Sequence, residues 1–441
     1  MAPTRAPYSI WRYRADSDQR VRDRRATMSN HERGRILVFF HGHALAHTIR
    51  PLVVARALRE RGFEMVFAGA GAHAERVRTE GFAVREIPTM PQERMDEFVL
   101  GRGREDYHDT RWVERLVGVE RELMREVRPA LALVDLRRTV RLSAALEGVD
   151  TAEICNAYLQ PGNAGIERPG RLDRWREQWP FLRVGLRHAD AVRPTHRLAL
   201  MADVPEFHPP PAGTAPRGWH YVGPLDDRPL PADHVAGLDD GWDTARPLVY
   251  LTLGSSGRPA EFLAPLMAAF AQSPYRLVVT TGGRWRAEGD GENVRVFDYL
   301  PGEWILARAQ LLVGVVGIGA IYQALRRGRP VLGFGEHADH RAHLARIEAL
   351  GLGRSMEREG ITPDAVLAAV DALLHDVGGF RARCREFAGN LAAWDGGGVA
   401  ADVLERHLAA PDPPRLDRLA GLLHRAAALR RPWGRRESDG G

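Results

Sequence analysis

The chain contains no lysine; all 62 of its basic residues are arginine. That excludes a Schiff-base lysine and the phosphate-gripping lysine of a P-loop, and with them pyridoxal enzymes, imine-forming aldolases and P-loop kinases. Cysteine is nearly absent as well. Cys155 and Cys384 alone cannot build a disulfide framework, so a reducing, cytoplasmic location is expected. No uninterrupted apolar run of about 18 residues is present to cross a bilayer, and residues 1–33 are polar and arginine-rich without the apolar centre of a secretory signal.

What is present fits a globular protein of two domains. The chain has 441 residues, 44% of them hydrophobic and 27% charged, ample for two full cores. The formal charge of +5 suits an anionic ligand, yet the arginines are spread along the chain without a nucleic-acid motif, so no nucleic-acid partner is expected.

Short apolar runs alternate with helical periodicity. Strands are expected at 35–40, 64–68, 83–87, 129–134 and 151–156. Helices are expected from about Leu52 to Gly62, at 73–80 and at 138–147, with a mixed-charge helical stretch over 90–127 and a loop over 41–47. A Pro-, Gly- and Asp-rich segment over 203–245 reads as a surface crossing between domains. Alternation resumes with strands at 248–253, 276–280 and 294–297 and a helix at 260–272. The fold class is therefore α/β with doubly wound parallel sheets.

Residues 311–340 are the most informative stretch. A buried strand at 311–316, a glycine turn at 317–319, a helix at 320–327 and a strand at 330–334 form a strand–turn–helix unit. It aims free backbone N–H groups and a positive helix end at one spot, as α/β proteins do when they hold a diphosphate. A nucleotide-linked donor is expected.

This segment resembles the C-terminal half of the UDP-glycosyltransferase superfamily, the GT-B glycosyltransferases that include macrolide and other natural-product enzymes. Gly317, Gly319, Gln323, Ala324, Leu325, Gly328, Pro330 and Asp339 fall in register with that family's pattern. Val315 replaces its His, Val316 its first Gly, Ala320 its Thr or Ser, and His340 its Gln, so backbone amides carry most of the implied diphosphate contact. The resemblance covers roughly 35–410 and implies a GT-B fold, two Rossmann-like domains facing across a cleft. The implied division is a basic N-terminal arm over 1–33, an acceptor domain over 34–225, a linker over 226–246, a nucleotide-sugar domain over 247–395, a crossover helix over 396–410 and a basic amphipathic tail over 411–441. That tail suits weak contact with an anionic membrane surface; a solvated or domain-docked helix is the other reading.

The resemblance also places site residues. Ala46-His-Thr-Ile-Arg50 looks like the segment whose His is the catalytic base, making His47 the base, with Asp135 its acidic partner. Taken alone, His47 could also start a helix, and Asp135 could cap one. Gly254, Ser255, Ser256, Tyr299, Gly317, Ile318, Gly319, Ala320, Gln323, Glu336, Asp339 and His340 are the donor-side candidates. His43, Arg50, Phe98, Trp112 and Asn156 are those for the acceptor. Two histidine clusters, His41/His43/His47 and His337/His340/His343 with Asp339, have metal-ligand spacing, but no metal is expected. The implied activity is an inverting, metal-independent glycosyltransferase. It moves sugar from a UDP- or TDP-linked donor, with no cofactor, to a hydroxyl or amine of a small, partly apolar acceptor in bacterial natural-product biosynthesis. Two alternatives stay open: a degenerate GT-B protein acting as a binding or activating partner, and a nucleotide-sugar epimerase or hydrolase. The acceptor, the sugar and the oligomeric state are left open.

Overall fold

The computed structural model describes residues 34–91, 93–94, 97, 109–163, 171–211, 213, 215–227, 242–254, 260–282, 292–357, 360–410 and 421–423. Its first lobe contains β1 (Arg35–Phe39), α1 (Ala46–Glu60), β2 (Glu64–Ala68), α2 (Ala74–Thr79), β3 (Ala83–Arg85), α3 (Thr110–Val127), β4 (Leu131–Asp135), α4 (Val140–Glu147), β5 (Asp150–Cys155), α5 (Arg171–Arg187), β6 (Arg197–Met201) and β7 (Trp219–Tyr221). The second contains β8 (Leu248–Thr252), α6 (Ala260–Ala271), β9 (Arg276–Thr280), β10 (Val294–Phe297), α7 (Gly302–Arg308), β11 (Leu311–Gly314), α8 (Ile318–Arg326), β12 (Val331–Gly335), α9 (Ala338–Ala349), β13 (Gly353–Glu357), α10 (Pro363–Leu374) and α11 (Phe380–Leu391), followed by α12 (Gly396–Ala409).

Both sheets are parallel throughout. Their strand orders are β3-β2-β1-β4-β5-β6-β7 and β10-β9-β8-β11-β12-β13. Because β1, β4, β8, β11 and β12 are apolar along nearly their whole length, each must be covered on both faces, and helices cover them. Strand order reverses between β1 and β4 in one lobe and between β8 and β11 in the other. A crevice opens at such switch points beyond the carboxyl ends of the strands. The fold is GT-B: two Rossmann-like domains.

Each lobe lends residues to the other's core. Val204 and Phe207, just after β6, pack with Leu248, Ile321 and Tyr322 of the second lobe. The Tyr322 hydroxyl donates to Asp203. In return α12 inserts Ala400, Ala401, Val403 and Leu404 among Ile36, Val38 and Leu52 of the first lobe. Gly396 permits this docking, since a Cβ there would lie 2.1 Å from the Pro224 carbonyl oxygen.

Several boundaries differ from the sequence reading. Helix α1 starts at Ala46, so His47 sits in its first turn rather than in a loop. Helix α8 starts at Ile318, two residues early, because Gly317 already takes the N-cap conformation. The expected crossing over 203–245 contains β7, a strand of three half-buried residues too short to show a period. Helix α5 carries Pro180, which masked it. The arm over 1–33 lies outside the described residues, as does most of the tail. In the described turn of the tail, Leu423 is fully buried, with its methyls packed on Gly185. No helix among the described residues is long and apolar enough to cross a membrane.

Leu404→Ala should cost about 3 kcal/mol in urea unfolding, within the range for a fully buried leucine. A loss below about 1 kcal/mol would mean that α12 is not part of the first core.

Candidate functional site

The site is built around one buried carboxylate. Asp135 ends β4 and is wholly shielded from solvent. The chain turns immediately behind it through Leu136, at φ 54°, a left-handed conformation that a branched side chain adopts at a cost of about 1 kcal/mol or more. Arg137 fixes that turn by donating to Glu120 at 2.6 Å and to the Pro88 carbonyl at 2.8 Å. Glu120, fully buried, also accepts from Thr139 and Ser143, each at 2.5 Å. The position of Asp135 is thereby set from behind.

Two side chains of α1 close on it from the front. His47 and Arg50 are three residues apart, hence on one helix face. His47 Nδ1 lies 2.7 Å from Asp135 Oδ1. Arg50 grips the same carboxylate bidentately, with Nε 2.9 Å from Oδ2 and a terminal nitrogen 2.6 Å from Oδ1. Burial alone would raise the Asp135 pKa, but Arg50 and then His47 outweigh it and hold the group below the usual carboxylate range. An ionised carboxylate only accepts, so its contact draws a proton to His47 Nδ1 and leaves the Nε2 lone pair to take one, while an Arg50 terminal nitrogen 2.9 Å from the same Nδ1 competes to donate there. The His47 side chain is 24% exposed, enough to meet a substrate.

From Arg50 a chain of hydrogen bonds crosses the cleft. Arg50 donates to Asn156 Oδ1 at 2.9 Å, and the Asn156 amide donates to Asp339 Oδ1 at 2.8 Å. Asp339 lies in the first turn of α9, where the helix end favours a negative charge. Burial would raise its pKa; His343, with Nε2 3.3 Å away, and the Tyr158 hydroxyl hold it well below the carboxylate range instead. Arg50, expected to face the acceptor, is instead turned inward behind His47. Asn156 spans the lobes rather than lining one side.

On the donor side the valines do not obstruct the glycine turn. Val315 and Val316 are buried in the two cores on opposite faces of the second sheet, and Ile318 joins the latter. A Cβ on Gly317 or Gly319 would meet nothing within 4 Å. The amides of Ile318, Gly319 and Ala320 precede the first intrahelical bond, from Ile321 N–H to the Gly317 carbonyl. Gly254, at φ 65°, must be glycine because a Cβ would come 2.9 Å from the Val315 carbonyl oxygen. Tyr299 is exposed and Glu336 half-buried. The Gln323 oxygen fills the space beside Gly302, 2.2 Å from where a Cβ would stand. His340 departs from its expected place in the open site. It is buried against His337, ring centroids 3.6 Å apart, and burial followed by the neighbouring His337 pushes its pKa down to about 3. Ser255, Ser256 and Phe98 lie outside the described residues.

On the acceptor side, Trp112 and Leu136 line a pocket with His41, Met90, Leu116 and Arg137. His43 packs edge-on against His41. Burial and the adjacent His47 push the His41 pKa down to about 3, so its ring is neutral. Neither His41 nitrogen nor Trp112 Nε1 has a hydrogen-bond partner, which leaves three polar atoms among apolar walls. Sequence reasoning missed His41 as a pocket residue and Arg50 as the partner of Asp135; the i, i+3 spacing from His47 was the available signal for Arg50. Among the described residues, neither expected histidine cluster converges as a metal site.

Residues 276–403 match the family described as erythromycin biosynthesis protein CIII-like, C-terminal domain. The chain has a GT-B fold. It is 28% identical over 376 residues to a PGL/p-HBAD biosynthesis glycosyltransferase of Mycobacterium tuberculosis, covering 78% of this chain and 85% of the relative. A PGL/p-HBAD biosynthesis rhamnosyltransferase of Mycobacterium bovis is 29% identical over 395 residues, covering 82% and 84%. The calicheamicin glycosyltransferase CalG4 superposes with a TM-score of 0.64 at 20% identity, covering 85% of this chain and 98% of that one. The spinosyn rhamnosyltransferase SpnG complexed with thymidine diphosphate superposes at 0.61 with 18% identity, covering 84% and 100%.

Arg50→Met leaves the buried Asp135 charge short of its main partner and should cost about 3–5 kcal/mol at pH 7. Since the folded pKa of Asp135 is depressed, its stabilising contribution is present above about pH 4 and is lost as pH falls through the folded value. The penalty, read from urea unfolding at several pH values, should shrink below about pH 4. A penalty that does not change with pH would contradict this electrostatic role.

Proposed function

We propose that this GT-B glycosyltransferase moves a sugar, with inversion and without a catalytic metal, from a UDP- or TDP-linked donor to a hydroxyl or amine of a small, partly apolar acceptor. The observation that carries the reading is the His47–Asp135 pair, which Arg50 and Asn156 link to Asp339 of the second lobe. His47 Nε2 takes the acceptor proton as the acceptor atom bonds to the anomeric carbon and the bond from that carbon to the diphosphate oxygen breaks on the opposite face. Asp135 stabilises the resulting imidazolium. The amides of Ile318 to Ala320 and the positive end of α8 take up the charge on the departing diphosphate, the task that a metal ion performs in other transferases.

In this reading Asp339, a donor-side candidate, accepts from a hydroxyl of the donor sugar. A sugar hydroxyl donating there displaces the Asn156 amide. The relatives named for PGL/p-HBAD biosynthesis and the neighbour bound to thymidine diphosphate favour a natural-product or glycolipid acceptor and a TDP-linked sugar. A cytoplasmic setting would keep the two free, buried thiols Cys155 and Cys384 reduced.

His47→Ala should lower kcat about a hundred- to ten-thousand-fold while the rise in Tm on adding TDP or UDP stays as in the wild type. Unchanged turnover would remove His47 as the base. No thermal response of the wild type to UDP, TDP or GDP would favour the non-catalytic partner reading. Asn156→Ala should change KM for the donor more than kcat; an effect on kcat alone would place Asn156 with the base rather than with the sugar.

A further inference from the structure

A second cluster of ligand-bearing side chains lies at the opposite end of the first sheet, about five residues or roughly 15 Å along the strands from the cleft. Asp150 opens β5, His196 immediately precedes β6, and His407 stands near the end of α12. His196 Nδ1 is 2.8 Å and His407 Nε2 3.0 Å from the same oxygen, Asp150 Oδ2. The other carboxylate oxygen accepts the His196 backbone N–H at 2.8 Å. The two rings meet edge-on with centroids 4.8 Å apart. One nitrogen from each ring and the shared oxygen all lie within 4.8 Å of one another. The His407 and His196 side chains are only 7% and 13% exposed, whereas Asp150 reaches solvent at 23%.

We propose that Asp150, His196 and His407 form a structural site for a divalent transition metal of the zinc class, with solvent as the fourth ligand. Two imidazoles and one carboxylate are the donor set that selects zinc, cobalt or nickel over magnesium and calcium. Donors about 2.0–2.2 Å from a tetrahedral ion stand roughly 3.3–3.6 Å apart. The two short separations, 2.8 and 3.0 Å, need to widen by about 0.3–0.8 Å, which ring rotation supplies while the strands and α12 stay in place. The carboxylate is ready to bind: burial would raise its pKa, but the hydrogen bonds from His407 and His196 outweigh it and keep Asp150 ionised. His220 lies close to His407, its pKa lowered by burial and then by Arg406 and His407.

The site ties together parts of the chain that are far apart in sequence. Asp150 and His196 belong to the first sheet, whereas His407 arrives on α12 after the whole second lobe has been traversed. A bound ion would clamp α12 to the first lobe, so metal binding reads out as stability of that docking rather than as chemistry.

The test uses the full-length protein, stripped with EDTA and dialysed. It is titrated with Co²⁺ under visible spectroscopy and with Zn²⁺ by calorimetry, and Tm is recorded with each metal and with Mg²⁺. One equivalent of Zn²⁺ or Co²⁺ should bind, cobalt should show tetrahedral d–d bands, and Tm should rise by roughly several degrees with zinc and not with magnesium. His407→Gln should weaken binding by about tenfold or more and abolish the rise. His196→Gln, at the more exposed ring, should do the same and serves if the first variant folds poorly. His375→Gln, at a ring 66% exposed elsewhere, should bind like the wild type. Zinc affinity no better than millimolar, or binding that survives in folded His407→Gln and His196→Gln, overturns the assignment and leaves a hydrogen-bonded triad.

Discussion

A carboxylate with no access to water, Asp135, holds the functional end of this molecule in place. Removing an ionised group from solvent costs several kcal/mol even after relaxation, and only close, well-directed partners offset it. Arg50 supplies a bidentate partner and His47 a second donor. Because both sit on the first turns of α1, satisfying the charge also fixes how that helix leaves β1. The demand of one buried charge therefore sets the orientation and the exposure of the His47 ring together.

The same charge connects the two lobes. Through Arg50 and Asn156 it reaches Asp339, the carboxylate at the start of α9. Apolar interlocking makes this polar bridge credible as a fixed feature, because Val204 and Phe207 enter one core while α12 enters the other. His47 and Asp339 thus share a continuous network through Asp135, Arg50 and Asn156.

Much of this was legible in the sequence where local physics decides it. Strands such as β8 and β9 read correctly because parallel strands buried on both faces are short, mostly apolar runs. His47, Asp135 and the 317–320 turn follow the strands whose ends form the two switch points, so motif and topology agree. Arg50 was read at its position but not in its role, because the partner that turns it inward is 85 residues away. His340 was expected in the open site, yet its ring is buried against His337, a packing outcome that no spacing rule encodes. The valines that replace family residues before the turn proved neutral to it: consecutive side chains of an extended segment point to opposite faces, and both faces here are core.

The account is tested most directly by a crystal structure of the protein with a nucleoside diphosphate and a hydroxylated aromatic acceptor. It predicts the diphosphate on the amides of Ile318 to Ala320 and the acceptor oxygen within about 3.2 Å of His47 Nε2, with Asp135 still held between His47 and Arg50. A nucleotide bound away from α8, or an acceptor oxygen out of reach of His47, would contradict it.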